Sequence, residues 1–410
     1  MIIQINLTMN IAIYTLTSPL HDADAIAAET KDFLEKLSIT DYELITDNEF
    51  KDYGTHALDL IYVRTGGTEG VFRTVLPILK QATHRPYYLL TSGQSNSLAA
   101  ALEILSYLRI NGLRGEILHG QPDFVLRRIT LLAQAGEARR KLDGCRLGVI
   151  GRPSDWLIAS RANRVVIKDQ MGIEFIDIDI NELINEIGLV NDDKTPNGYF
   201  KMVTNAEVKE SLPGAHRIYL ALRNIIDRYK LNGFTLRCFD LLTTVHNTGC
   251  LAMARLNSEG IIAGCEGDIP ALLSMTIANA MLGVSGFQSN PSKLNPESGQ
   301  MLFSHCTIPL NMVKRYELDT HFESGIGIGI RGYMQEGPVT IFKVAGDLSR
   351  HFAQEGMLIR SQSRPGLCRT QQIIQLRERE HIKYFLTDPI GNHHIILPSH
   401  CKRLLDEILS

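Results

Sequence analysis

The first third of the sequence alternates short apolar runs with stretches of helical periodicity, starting at Asn10 and ending near Gly144. The predicted strands and helices lie, in order, at 11–16, 25–37, 57–63, 71–81 and 87–90. Strands that alternate with helices in this way form a parallel sheet covered on both faces. The sequence therefore predicts a doubly wound α/β domain at the start of the chain.

A second α/β unit is predicted after the charged segment 136–143, which we interpret as a domain boundary. Its long helix, 206–231, should be interrupted at Pro213, because proline lacks the backbone donor that a helix interior uses. Residues 285–302 are typical of a loop and a strand edge. Beyond them, short apolar runs separated by glycine predict an antiparallel barrel or sandwich.

The predicted fold class is thus α/β, with two doubly wound parallel-sheet domains followed by a β-rich, barrel-like C-terminal domain. The predicted limits are 1–143, 144–310 and 311–410. At 410 residues, the chain is long enough for each of these domains to bury its own core.

Composition excludes several classes of protein. With 44% hydrophobic residues, 21% charged residues and a net charge of -3, the chain offers no electrostatic attraction for nucleic acid or an anionic membrane. Its seven cysteines contain no CxxC pair, which is typical of reduced thiols in the cytoplasm. The N-terminus lacks the features of a signal peptide, and no apolar run reaches the roughly 20 residues of a membrane span. We therefore expect a cytoplasmic protein without a nucleic-acid or membrane partner.

A carboxylate-bearing turn, Gly264-Cys265-Glu266-Gly267-Asp268, separates an apolar run from the long apolar stretch 269–282. An acid at the end of a buried strand, flanked by glycines, is a plausible place for chemistry. Two further ligand candidates follow, His305 and the pair His393-His394. Glutamate with two separated histidines is the ligand set of a divalent-metal site open to substrate. A chance triple is the alternative, because the chain contains 13 histidines.

Trp156, the only tryptophan of the chain, follows a predicted strand and lies in the segment Gly151-Arg152-Pro153-Ser154-Asp155-Trp156. The segment is typical of a helix cap formed by serine or aspartate. A position at a domain hinge or at the edge of a substrate site is the alternative interpretation.

Seven short motifs, taken in order, resemble those of the L-fucose isomerase and L-arabinose isomerase superfamily, in particular its shorter fucose-isomerase-related members. They are Ser95-Asn96-Ser97-Leu98, Pro153-Ser154-Asp155-Trp156, Arg237-Cys238, Cys265-Glu266-Gly267-Asp268, His305-Cys306, Gly337-Pro338-Val339-Thr340 and His393-His394. The resemblance implies two α/β domains, a β-rich C-terminal domain and a homo-oligomer, either a trimer or a hexamer. It also implies aldose–ketose isomerisation of a small-molecule sugar with a divalent metal, usually Mn²⁺.

Such a reaction moves a proton between C1 and C2 of the open-chain sugar through an ene-diolate. A metal stabilises the negative charge on the sugar oxygens, and a carboxylate relays the proton. By resemblance, Glu266 is a metal ligand and the candidate base, while Asp268 orients the turn or binds a hydroxyl group. His305 and one of His393 and His394 are further metal ligands.

The sequence departs from the family where a second catalytic carboxylate is expected, because the aligned residue is Asn290. An amide oxygen can coordinate a metal weakly, but it cannot take up a proton at neutral pH. Either Glu266 works alone or another acid substitutes, with Asp268, Glu297 and Glu323 as candidates. Three functions remain open: an isomerase with an altered site, a sugar-binding or regulatory relative without turnover, and an enzyme for epimerisation or aldol cleavage.

Overall fold

A computed structural model of the protein describes residues 10–46, 48–82, 85–191, 198, 203 and 205–410. The chain divides into two compact units, Met1–Arg140 and Lys141–Ser410. The predicted limits at 143 and 310 remain predictions.

The first unit contains a five-stranded parallel sheet with the strand order β2-β1-β3-β4-β5. Its elements are β1 (Ile11–Leu16), α1 (Ala23–Leu37), β2 (Tyr42–Ile45), β3 (Leu58–Val63), α2 (Glu69–Ala82), β4 (Tyr87–Leu90), α3 (Ser97–Ile110), β5 (Gly115–Leu118) and α4 (Pro122–Leu142). Separate apolar clusters cover the two faces of the sheet, as the doubly wound fold requires. Most of the charged segment 136–143 lies within α4, so it is a helix end and not an irregular linker.

The second unit begins with a four-stranded parallel sheet of order β7-β6-β8-β9. Its elements are β6 (Arg146–Ile150), α5 (Arg164–Met171), β7 (Glu174–Ile178), α6 (Ile180–Leu189), α7 (Ala206–Tyr229), β8 (Gly233–Leu236), α8 (Asp240–Thr244), α9 (Cys250–Ser258), β9 (Ile262–Cys265) and α10 (Ile269–Leu282). The predicted interruption at Pro213 is wrong, because α7 continues through it. Its buried face, including Leu212 and Ala215, packs on either side of the proline.

The rest of the second unit contains a closed antiparallel barrel, in the order β10-β11-β16-β15-β14-β17. Its strands are β10 (Phe287–Asn295), β11 (Gln300–His305), β14 (Gly337–Val344), β15 (His351–Ser361), β16 (Thr370–Leu376) and β17 (His394–Leu397). A two-stranded sheet, β12 (Val313–Asp319) with β13 (Gly329–Met334), and the helices α11 (Ile382–Thr387) and α12 (Lys402–Ile408) complete it. Short 3-10 turns lie at Gln94–Asn96, Leu310–Met312 and Arg379–His381.

The predicted fold class is confirmed: parallel-sheet α/β domains are followed by a β-barrel. Residues 285–302, predicted as a loop and a strand edge, are mostly strand, because they contain β10 and the first half of β11. Phe287, Met301 and Phe303 point into the apolar core there, and their burial outweighs the turn-forming residues between them. The barrel thus takes its first two strands from before residue 310.

A glutamine joins the barrel to the edge strand of the parallel sheet. The backbone N–H of Cys265 donates to Gln288 Oε1 at 2.8 Å, and Gln288 Nε2 donates back to the carbonyl of Cys265 at 3.3 Å. The end of β9 is therefore held against β10 next to the Glu266 turn. Among the described residues, no helix combines the length and apolarity that a bilayer crossing requires.

Candidate metal centre at the sheet edge

The Glu266 turn lies where β9 ends, at the carboxyl edge of the parallel sheet, where open α/β sheets place ligands. Glu266 and Gly267 both have left-handed backbones, with φ of 66° and 71°. A Cβ atom on Gly267 would lie 2.5 Å from the carbonyl oxygen of Arg152, so glycine is needed for this close approach. Backbone strain at a non-glycine residue costs about 1–3 kcal/mol and concentrates at functional sites.

Three side chains converge beside this turn, although their residues are far apart in the sequence. Potential ligand atoms of Glu266, His305 and His393 all lie within 4.8 Å of one another. Glu266 Oε1 is 3.5 Å from Nε2 of each histidine. All three residues are buried, so an ion held between them would be shielded from solvent.

Asp268 lies behind His393 and fixes the orientation of its ring. Its Oδ1 accepts from the backbone N–H of Ala271 and caps helix α10, while its Oδ2 is 2.8 Å from His393 Nδ1. Because a carboxylate can only accept, the proton of the neutral imidazole is placed on Nδ1. When Nε2 carries no proton it is an electron-pair donor, which is how a carboxylate commonly supports a metal-binding histidine.

A buried lysine completes the contacts of Asp268. Lys343 lies on β14 with no exposed side-chain surface, and its Nζ is 3.6 Å from Asp268 Oδ2. Burial lowers the pKa of Lys343, and the charge of Asp268 opposes that shift. Burial alone would raise the pKa of Asp268, but the Lys343 charge and the His393 ring lower it to about 2. Asp268 is therefore an anion at neutral pH.

Glu266 and His393 also have shifted pKa values. Burial works against ionisation of Glu266, yet the adjacent His305 and His393 rings hold its pKa well below the usual range. Burial likewise works against protonation of His393, but Asp268 and Glu266 raise its pKa to about 9. Concentrated negative charge at one buried point attracts a cation, either a proton or a metal ion.

The donor set fits a divalent metal. Nε2 of His393 and Nδ1 of His305 have no hydrogen-bond partner among the described residues, although both atoms are buried. Buried polar atoms normally have a partner, so such atoms need an explanation. One carboxylate and two imidazoles suit Mn²⁺, Fe²⁺ or Zn²⁺ and leave coordination positions open. A bound ion would satisfy His393 Nε2 directly.

Trp156 also contacts this group. Its Nε1 donates to Glu266 Oε2 at 2.7 Å, so the two oxygens of Glu266 have different environments. The helix-cap interpretation did not anticipate this bond, and the alternative, a position at a domain hinge or at the edge of a substrate site, remains a prediction. The position of Trp156 after β6, at the same sheet edge as Glu266, was the available signal.

The structure does not bring the ring nitrogens of His394 into the group. Nε2 of His394 is 2.9 Å from the Tyr384 hydroxyl, and Nδ1 is 3.0 Å from the carbonyl oxygen of Asn392. The ring packs among aromatic side chains, and burial lowers its pKa to about 3. Of the two adjacent histidines, His393 is the one that faces Glu266.

Asn290 lies on β10, between the strands that carry His305 and His394. Its Oδ1 accepts from Nδ2 of Asn392 at 3.2 Å, so this oxygen already has a partner. A metal bond to it would require a change of that contact.

The acids considered as substitutes for a second carboxylate lie in different places. Asp268 is fully buried and bound to His393, Ala271 and Lys343. Glu297 is in the exposed turn between β10 and β11, at the opposite end of that hairpin from Asn290. Glu323 is exposed two residues from His321. Glu266 is the one acid in the group of potential metal ligands identified among the described residues.

Lys343 was not anticipated from the sequence. A single lysine within the apolar run Ile341-Phe342-Lys343-Val344 is the signal that marks it, since lysine is almost never fully buried without a partner. Its partner, Asp268, is distant in sequence and could not be identified from spacing.

The fold and site together define an α/β and β-barrel protein with a carboxylate and two histidines gathered at a sheet edge. No protein-family model matches the chain. It is similar to a sulfoquinovose isomerase of Alkalicoccus urumqiensis, at 22% identity over 263 residues, covering 61% of this chain and 59% of that protein. It is also similar to a sulfoquinovose isomerase of Clostridium sp. (strain MSTE9), at 23% identity over 256 residues, covering 60% and 56%.

The likeness thus spans less than two thirds of each relative. It supports a relationship to proteins named as sugar isomerases. The narrower resemblance to the fucose and arabinose enzymes remains a prediction from the sequence motifs.

Proposed function

We propose that this protein is an aldose–ketose isomerase that acts on a small-molecule sugar with a divalent metal ion, Mn²⁺ being the first candidate. The observation that carries the proposal is the convergence of Glu266, His305 and His393 around one point. The relatives named sulfoquinovose isomerase support the reaction class. Their name also makes a sulfonated hexose a substrate to test.

In this proposal Glu266, His305 and His393 hold the metal, and Asp268 positions His393. When bound, the metal supplies positive charge that stabilises the developing negative charge on adjacent sugar oxygens. The His305 and His393 rings hold the pKa of Glu266 well below its usual range, so Glu266 is ionised but is a weak base. In this proposal its uptake of a proton from the sugar carbon would rely on the acidity that a bound metal gives the C–H bond. Asp268 acts through His393 and is not proposed to touch the substrate, because both of its oxygens already have partners.

The amide at position 290 distinguishes this site from one with two catalytic carboxylates. Asn290 can orient a sugar hydroxyl or donate to it, but it cannot exchange a proton. Glu266 would therefore have to both accept and return the proton, and slow turnover is expected.

A second candidate function rests on the same residue. Asn290 is bound to Asn392, and one acid is present in the metal group. This arrangement also suits a metal-dependent sugar-binding relative without turnover. Hydrogen exchange between sugar and solvent separates the two candidates, since binding alone moves no proton.

The test is deuterium incorporation from D₂O into pentoses, hexoses, 6-deoxyhexoses and 6-sulfonated hexoses, with purified protein and added MnCl₂. The isomerase proposal expects deuterium at C1 or C2 of at least one sugar, with loss of exchange in Glu266→Gln. Sugar binding without exchange would favour the second candidate. Exchange that survives in Glu266→Gln would contradict the proposed base.

The cellular setting proposed with this function is a cytoplasmic homo-oligomer, either a trimer or a hexamer. Analytical ultracentrifugation of the purified protein tests the assembly, and a monomer at micromolar concentration would contradict it.

A further inference from the structure

A segment of the chain from Arg152 to Ser160 runs along the Glu266 turn and binds it at several points. The N–H of Ser154 donates to the carbonyl of Glu266 at 2.9 Å. The Ser160 hydroxyl donates to Asp268 Oδ2 at 3.4 Å. With the Trp156 bond to Glu266 Oε2, three hydrogen bonds from this segment reach the two acids of the site.

The segment is itself fixed by a partly buried arginine. Arg237 donates to the carbonyl of Pro153 at 2.7 Å and forms ion pairs with Asp155 and Asp240 at 2.8 and 2.9 Å. Phe239 packs edge-on against the Trp156 ring, with 4.8 Å between ring centroids. The indole is therefore held in one orientation even though 51% of its surface is exposed.

The indole N–H determines which oxygen of Glu266 faces the two histidines. A carboxylate can present either oxygen to a cation, or both. Because Oε2 accepts from Trp156, Oε1 is the oxygen that faces His305 and His393. A donor on the distal oxygen also opposes rotation of the carboxylate about its last bond, which preorganises the ligand before the ion arrives.

We propose that Trp156 is a positioning residue of the metal centre, selecting the oxygen of Glu266 that binds the cation. The inference rests on the proposed function, because it requires that a cation binds there. It also implies that the only tryptophan of the chain reports the occupancy of the site. An ion bound to Glu266 changes the charge next to the indole and hence its emission.

The experiment uses Mn²⁺ alone, without sugar. Free Mn²⁺ is counted by its electron paramagnetic resonance signal, while Trp156 emission is recorded on excitation at 295 nm. We expect the emission to change with the same midpoint as Mn²⁺ uptake, and Glu266→Gln to abolish both responses. Emission that stays constant while Mn²⁺ binds would overturn the inference without any variant.

Trp156→Phe keeps an aromatic ring but removes the N–H donor. Loss of a hydrogen bond to a metal ligand typically costs 10–100-fold in metal affinity, so we expect Mn²⁺ to bind at least about tenfold more weakly. Ile158→Ala is the matched control, since Ile158 is in the same segment, 83% exposed and outside the site. We expect its Mn²⁺ affinity to equal that of the wild type.

Thermal unfolding in EDTA separates positioning from folding, because a positioning role predicts little change in the metal-free Trp156→Phe protein. Equal Mn²⁺ affinity of Trp156→Phe and wild type would overturn this inference and leave the proposed function intact. Absence of Mn²⁺ binding to the wild type would instead overturn the proposed function, and this inference with it.

Discussion

Lys343 and Asp268 form a buried ion pair that should couple strongly in a double-mutant cycle. The variants are Asp268→Asn, Lys343→Met and the double substitution. Asparagine caps a helix about as well as aspartate, so Asp268→Asn retains the cap of α10 and removes the charge. Methionine keeps the length of the lysine side chain without its charge.

The distance between the charges sets the expected magnitude. At 3.6 Å and an effective dielectric constant of 20, the attraction is about 5 kcal/mol before desolvation is subtracted. Removing one partner of a buried pair typically costs about 3–5 kcal/mol, because the other charge is left uncompensated. We expect this cost for Asp268→Asn. Lys343→Met should cost less, since Asp268 keeps His393 and the Ala271 N–H.

In the double variant neither charge remains, so its loss of unfolding free energy should be smaller than the sum of the losses in the two single variants. We expect a coupling free energy of about 2 kcal/mol, within the range measured for neighbouring groups. Urea unfolding followed by Trp156 emission measures it, because the only tryptophan lies in the unit that contains the pair. Additive effects within about 0.5 kcal/mol would refute the coupling.

Three further predictions concern single positions. Gly267→Ala should destabilise the protein by several kcal/mol more than Gly283→Ala in urea unfolding, because both have left-handed backbones but only Gly267 would clash with Arg152; equal effects would contradict the close approach. Folding lowers the pKa of His394 from 6.5 to about 3, so the unfolded chain binds a proton at this residue more readily than the folded protein. The free energy of unfolding should therefore fall as pH falls from 6.5 toward 3, by about 2 kcal/mol between pH 7 and 5. His394→Gln should remove that part of the pH dependence, and an unchanged profile would contradict it. Asn290→Asp should raise Mn²⁺ affinity or the rate of sugar exchange, and no change in either would indicate that position 290 does not face the metal.

The fold class followed from the sequence because periodicity reports which faces are buried. Alternation of strands and helices placed the parallel sheets, and glycine-separated runs placed three of the six barrel strands, β14, β15 and β17. Errors occurred where local signals conflicted with packing. Pro213 does not interrupt its helix, and most of 285–302 is strand where a loop and a strand edge were predicted, because burial of apolar faces outweighed the local preference of proline and turn residues.

The candidate site could be predicted only in part from the sequence, for a different reason. Glu266, His305 and His393 were named because their residue types and order suggested metal chemistry. Spacing could not distinguish His393 from His394, because side chains of adjacent residues in extended backbone point in opposite directions and the sequence does not say which one faces the site. The contact with Asp268 identifies His393 as that residue. Trp156 and Lys343 contact Glu266 and Asp268, which are more than 70 residues away in the sequence. Contacts over such distances cannot be predicted from the spacing of residues along the chain.

The central claim is that a carboxylate and two imidazoles bind one cation. Electron spin-echo envelope modulation of the Mn²⁺-loaded protein tests it most directly, because directly coordinated histidine nitrogens modulate the echo. We expect two such nitrogens in the wild type and in His394→Gln, and one in His305→Gln or His393→Gln. Mn²⁺ bound without histidine modulation, or modulation that persists when both His305 and His393 are replaced, would contradict the claim.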